Sequence, residues 1–141
     1  MFQKILVPLD GSKLAEKILP SVVKLVQFCR AEIHLLQVVV SYKIDPQEEK
    51  EERDKLIQNA WKYLEKIVSR LRQKKVKAYA VVVYGKDAVQ ICDYAQKNRF
   101  DLIAMATHGR SGLGRWALGS VADKVLHCSR VPVMLFRVKV R

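Results

Sequence analysis

The chain has 141 residues, half of them hydrophobic, and a formal net charge of +12. That length and composition suit one domain, residues 1–141, with a sizeable core, and no apolar stretch approaches the roughly 20 residues of a membrane span. The opening "MFQKILVPLDGS" carries one Lys, no long apolar region and no cleavage site, so the reading is a cytoplasmic protein.

The chain alternates strand and helix. "QKILVPLD" is a short β-rich run. "SKLAEKILPSVVKLVQFCR" follows as a helix, with Ser12 as N-cap and Leu14, Ile18, Val22, Leu25 and Val26 at helical spacing. Pro20 is expected to kink it, because an interior Pro removes a donor and crowds the preceding turn. "EIHLLQVVV" is a second strand. Pro46 to Lys75 reads as a long charged helix with a buried stripe of Leu56, Ala60, Tyr63, Leu64, Ile67 and Leu71. Its early run of acids suits the helix dipole. "KAYAVVVYG" is a third strand, Asp87 caps the short helix "AVQICDYAQKN", and "FDLIAMAT" and "VPVMLFRV" are the fourth and fifth strands. Pro132 suits an edge position for the last one.

Continuous apolar strands separated by helices imply a parallel sheet covered on both faces, hence a doubly wound (Rossmann-like) α/β domain with four main helices. Ligands of such sheets sit beyond the carboxyl ends of the strands, where the winding reverses. That rule points to Pro8–Ser12 and to the segment from Ala106 onward. The three cysteines, Cys29, Cys92 and Cys128, are odd in number and far apart, which reads as buried reduced thiols rather than a disulfide framework or a zinc site.

Four of the six glycines fall between Gly109 and Gly119. The order Gly109-x-x-Gly112-x-Gly114 reverses the dinucleotide fingerprint. Gly114 and Gly119 have P-loop spacing, but Ser120 stands where the phosphate-clamping Lys belongs, which argues against an ordinary P-loop ATPase. Ser120-Val121-Ala122-Asp123 has the form of a capping box, placing a helix start at Ser120. A helix N-terminus is an anion site, and "GRSGLG" can turn its own N–H groups around further oxygens. Arg110, Arg115, Ser111 and Ser120 add donors. Asp10, closing the first strand before Gly11, reads equally as a ribose acceptor or as a turn former. His108 lacks a nucleophile partner for catalysis, and His34 and His127 lack metal-ligand spacing.

The charge is dispersed along the sequence: residues 1–40 carry +2, 41–75 +3, 76–100 +2 and 101–141 +5. It favours an anionic ligand. Dispersion and the lack of an aromatic–basic stripe argue against nucleic acid as a partner.

Across essentially its whole length the chain resembles the universal stress protein family. The resemblance rests on "KILVPLDGSKLAEKILP" and on "DLIAMATHGRSGLGRWALGSVADKVLHCSRVPVMLFR". In nucleotide-binding members the closing motif runs Gly, two residues, Gly, nine residues, Gly-Ser or Gly-Thr. Gly109, Gly119 and Ser120 match it, while Ala106 replaces the first Gly and adds a methyl group that would crowd the ligand. The resemblance implies a five-stranded parallel sheet ordered 3-2-1-4-5. It also implies ATP, or ADP or AMP, with Mg2+ accompanying ATP. Pro8, Leu9 and Asp10 would lie at the adenosine, with Asp10 on ribose. Val38 would pack on adenine, and Met105 and Ala106 would border the nucleoside. Gly109, Arg110, Ser111 and Gly112 would line the phosphate loop, and Gly119, Ser120 and Val121 the helix end. Homodimerisation through the last strand, Val131 to Val138, is implied as well. The resulting expectation is a regulatory nucleotide binder in the stress response, with slow hydrolysis not demanded by any residue set. The alternative is a homodimeric adaptor acting on a regulatory protein partner without nucleotide.

Overall fold

A computed structural model describes residues 1–109 and 119–139. The elements run β1 (Lys4–Pro8), α1 (Lys13–Glu16), α2 (Leu19–Cys29), β2 (Glu32–Val39), α3 (Pro46–Gln73), β3 (Ala78–Tyr84), α4 (Asp87–Lys97), β4 (Leu102–Gly109), α5 (Ser120–Cys128) and β5 (Val133–Lys139). All strand pairs are parallel, in the order β3-β2-β1-β4-β5. This is the expected α/β sheet with four main helices, preceded by the single turn of α1.

The strands are apolar throughout because both faces are covered. In β1, Ile5 and Val7 pack into one core cluster with α2 and α3, while Leu6 between them packs into a second with α4 and α5. The period of two along each strand thus feeds two separate cores. The stripe of α3 supplies Leu64, Ile67, Val68 and Leu71 to the first.

Three local expectations are corrected. Pro20 does not kink one helix: it sits in the first turn of α2, after a break at Lys17 and Ile18, where a missing donor costs nothing. Lys86, not Asp87, is the N-cap of α4; Asp87 is the first helical residue, and its carboxylate accepts from Ala88 N at 2.6 Å.

The third concerns the thiols. Cys92 of α4 and Cys128 of α5 form a disulfide, with Cα atoms 6.4 Å apart and a sequence separation of 36. Cys29 is a half-buried free thiol. The pairing follows from α4 and α5 lying together on one sheet face, which brings together cysteines whose sequence spacing carries no signal. No described helix is long and apolar enough to cross a membrane.

Candidate functional site

The winding reverses between β1 and β4, and there the sheet divides. These two strands pair only at Ile5–Leu102 and Leu6–Ile103, whereas β1 and β2 share five pairs and β4 and β5 seven. Beyond Leu6 the first strand stays with β2, Leu9 N donating to Leu36 O at 2.8 Å. A crevice therefore opens at the carboxyl ends of β1 and β4, the position where such sheets bind ligands.

One wall is the turn after β1. Pro8 is half-buried, Leu9 is buried and Asp10 is exposed. Asp10 Oδ1 accepts from Ser12 N at 2.9 Å, and Ser12 Oγ accepts from Ala15 N at 3.1 Å as the N-cap of α1. Gly11 between them has φ +87°, a backbone that a side chain would strain.

The other wall is β4. Met105 is buried in the α4–α5 cluster, and Ala106 packs against the cluster of α1–α3. Consecutive residues point to opposite layers, so the Ala106 methyl belongs to the α1–α3 packing surface. Val38, one residue from the end of β2, packs with Met105 in the α4–α5 cluster. Gly109 ends β4, paired with Lys139.

At this same end of the sheet α5 begins. Its N-cap is Gly119, with no side-chain hydrogen bond, and its first internal bond runs from Asp123 N to Gly119 O at 2.9 Å. This corrects the capping-box reading. Ser120 is the first helical residue, one position too late to cap, and Asp123 instead engages His127, whose Nδ1 lies 2.7 Å from the Asp123 carbonyl. The N–H groups of Ser120, Val121 and Ala122 precede the first internal bond and carry no side-chain cap, which leaves an anion-attracting helix end. Arg110, Ser111, Gly112, Gly114 and Arg115 lie outside the described residues. Among the described residues no cluster of His, Cys, Asp or Glu could hold a metal.

Two polar residues near the crevice escaped sequence reasoning. Gln37 Oε1 and Thr107 Oγ1 are buried without a hydrogen-bond partner among the described residues. Gln37 lies under the β1 turn, its Nε2 3.8 Å from where a Cβ on Gly11 would stand. The signal was present as single polar residues inside apolar strands, "HLLQVVV" and "LIAMATHG". Buried oxygens without partners are costly, and their place beside a crevice marks them as acceptors or donors for a bound polar molecule.

A crevice at the switch point of a doubly wound α/β domain, a carboxylate on one wall and an uncapped helix start at the same end are features whose chemistry suits small anionic, hydroxyl-bearing molecules. The chain belongs to the universal stress protein family, whose profile matches residues 1–137. It is 31% identical to Universal stress protein YxiE of Bacillus subtilis, over 97% of this chain and all of the relative. The solved structure of MJ0577 from Methanocaldococcus jannaschii superposes with a TM-score of 0.83 at 32% identity, covering 100% of this chain and 98% of the other. A universal stress protein of Arabidopsis thaliana, solved with AMP bound, shares the fold at a TM-score of 0.70 and 21% identity, over 96% and 91% of the two chains.

Proposed function

We propose that this protein binds ATP or a related adenine nucleotide in the β1/β4 crevice as a regulatory ligand of a cytoplasmic stress response. The observation that carries the reading is the parting of β1 from β4 after Leu6–Ile103 at the end of the sheet where α5 starts uncapped. AMP in the Arabidopsis relative supports an adenine nucleotide as the ligand class. In this reading Pro8, Leu9, Val38 and Met105 border the nucleoside and Asp10 accepts from ribose hydroxyls. Gly109, Arg110, Ser111 and Gly112 follow the phosphates, and the N–H groups at Gly119, Ser120 and Val121 receive their charge. Ala106 flanks the nucleoside from the strand below. Mg2+ would arrive with ATP. The ligand acts by ordering the crevice, and no hydrolytic step is assigned.

The test is calorimetric titration with ATP, ADP and AMP, with and without Mg2+, on protein first stripped of carried-over nucleotide. Saturable binding is expected, and no heat up to millimolar nucleotide rejects the reading.

The reading includes a homodimer through β5. That strand ends the sheet order and therefore offers unpaired backbone groups along one side, with Met134 and Phe136 only partly buried. Sedimentation at micromolar concentration should give twice the 16.2 kDa chain mass. A dimer that sediments normally but binds no nucleotide would favour the adaptor alternative, in which a regulatory protein partner reads the dimer.

A further inference from the structure

The charge that is dispersed in the sequence is gathered by the fold. In a parallel α/β sheet every helix-to-strand connection lies at the amino ends of the strands. Here the four such connections hold six exposed basic residues, Arg30, Lys74, Lys75, Lys77, Arg99 and Arg130, against the single carboxylate of Asp101. That carboxylate is committed: one oxygen accepts from both Gln3 N and Lys4 N, at 2.8 and 2.9 Å. The described strand-to-helix connections at the opposite end balance two bases, Lys43 and Lys86, against Asp10 and Asp45.

Helix ends explain part of the gathering. Arg30, Lys75 and Arg99 each follow a helix in the left-handed region, at φ 56°, 61° and 55°, a position where Gly or Asn is usual. A basic side chain there is favourable to the helix dipole but gives up the easier backbone. Three such choices at one end of the molecule concentrate cations beyond what capping needs. Between Lys75 and Lys77 the surface is concave, lined also by Arg72 and the exposed ring of Tyr79, with the Arg72 guanidinium 5.8 Å from the ring centre.

We propose that this amino-end face binds nucleic acid through its phosphate backbone, without sequence preference and independently of the nucleotide crevice. The bases flank the sheet from β3 at one edge to β5 at the other, roughly 19 Å at about 4.8 Å per strand spacing, which suits successive phosphates of an extended strand. Tyr79 adds an aromatic edge beside the cations, as single-strand binders use. The four connections expose no large apolar side chain, and the exposed Met1 and Phe28 beside them are single residues rather than an inserting apolar face.

The test is fluorescence anisotropy with a labelled oligo-dT of about 20 nucleotides, longer than the site so that strand ends do not limit binding. Binding is expected to weaken at least tenfold between about 50 and 200 mM salt, as counterion release requires. The triple variant Lys74→Glu/Lys77→Glu/Arg130→Glu avoids the left-handed positions and should lose affinity at least tenfold. The control Lys55→Glu/Lys62→Glu/Lys66→Glu makes the same charge change on the exposed side of α3 and should lose less than threefold. Circular dichroism checks that both variants fold. Saturating ATP should leave oligonucleotide binding unchanged, which separates this face from the crevice: loss of ATP binding alone would reject only the nucleotide reading. Equal loss in both triple variants, competition by ATP, no shift at low salt, or binding to phosphatidylglycerol vesicles with none to the oligonucleotide would overturn the proposal.

Discussion

Leu6 and Ile103 form the last pair between β1 and β4, and everything at the crevice follows from where that pairing stops. Past this point β4 continues against β5, and its side chains alternate between two cores. Ala106 takes the turn that faces α1–α3. Its methyl is thus packing material. Ala106→Gly is expected to cost about 1 kcal/mol of stability, from lost contact and added backbone freedom in a strand. Nucleotide affinity should change less than threefold. Paired denaturation and calorimetric titrations check both numbers, and a tenfold gain in affinity would show instead that the methyl crowds the ligand.

Thr107 gives a sharper separation of stability from binding. Its buried Oγ1 has no partner among the described residues, so the hydroxyl is desolvated without return. Thr107→Val keeps the shape and removes the orphan, and should stabilise the ligand-free protein by about 1 kcal/mol. If the oxygen serves the ligand, the same change weakens nucleotide binding several-fold. Urea midpoints without ligand and titration heats with ATP read the two effects, and a destabilised variant would refute the account of Thr107.

The architecture was legible because apolar strands alternating with amphipathic helices leave few alternatives, and the order of strands and helices along the chain is the one their patterns placed. The errors were local and had local causes. Ser120 and Asp123 fit the capping-box pattern, and α5 does start at Ser120, yet the cap is Gly119 and no side chain closes the box. Pro20 is compatible with a kink or a fresh helix start, and only packing decides. The disulfide and the basic face had no sequence signature at all. Both depend on which chain segments the sheet order brings together, and linear spacing does not encode that.

Asp101 ties the amino ends of β1 and β4. Its carboxylate takes hydrogen bonds from Gln3 N and Lys4 N, and these hold its pKa below the ordinary carboxylate value. A lowered folded pKa contributes stability that is fully present above the unfolded value, about 4, and is lost as pH falls through the folded one. Asp101→Asn keeps the size but loses charge assistance, and should cost about 1 kcal/mol at neutral pH. The difference from wild type should shrink below about pH 4 as the native carboxylate becomes protonated. Thermal melts across that range check the sign: a gap that widens toward acid would contradict it.

The Cys92–Cys128 bond fastens the far end of α5 to α4, while the near end of α5 is the uncapped start at the crevice. Oxidation state should therefore act on stability and on the crevice together. Closing a loop of 36 positions limits the unfolded chain, an effect of about 3 to 4 kcal/mol in the chain-entropy account. Cys128→Ser, or reduction of the wild type, should lower the denaturation midpoint to the same value, since each removes the same link. Thiol titration of unfolded oxidised protein should find only Cys29 free, rising to all three cysteines after reductant. Nucleotide affinity should fall on reduction in the wild type and show no redox dependence in Cys128→Ser, because only the wild type has an α5 tether to release. Three free thiols in protein prepared and unfolded without reductant would show that the bond is not formed, and the predicted coupling would go with it.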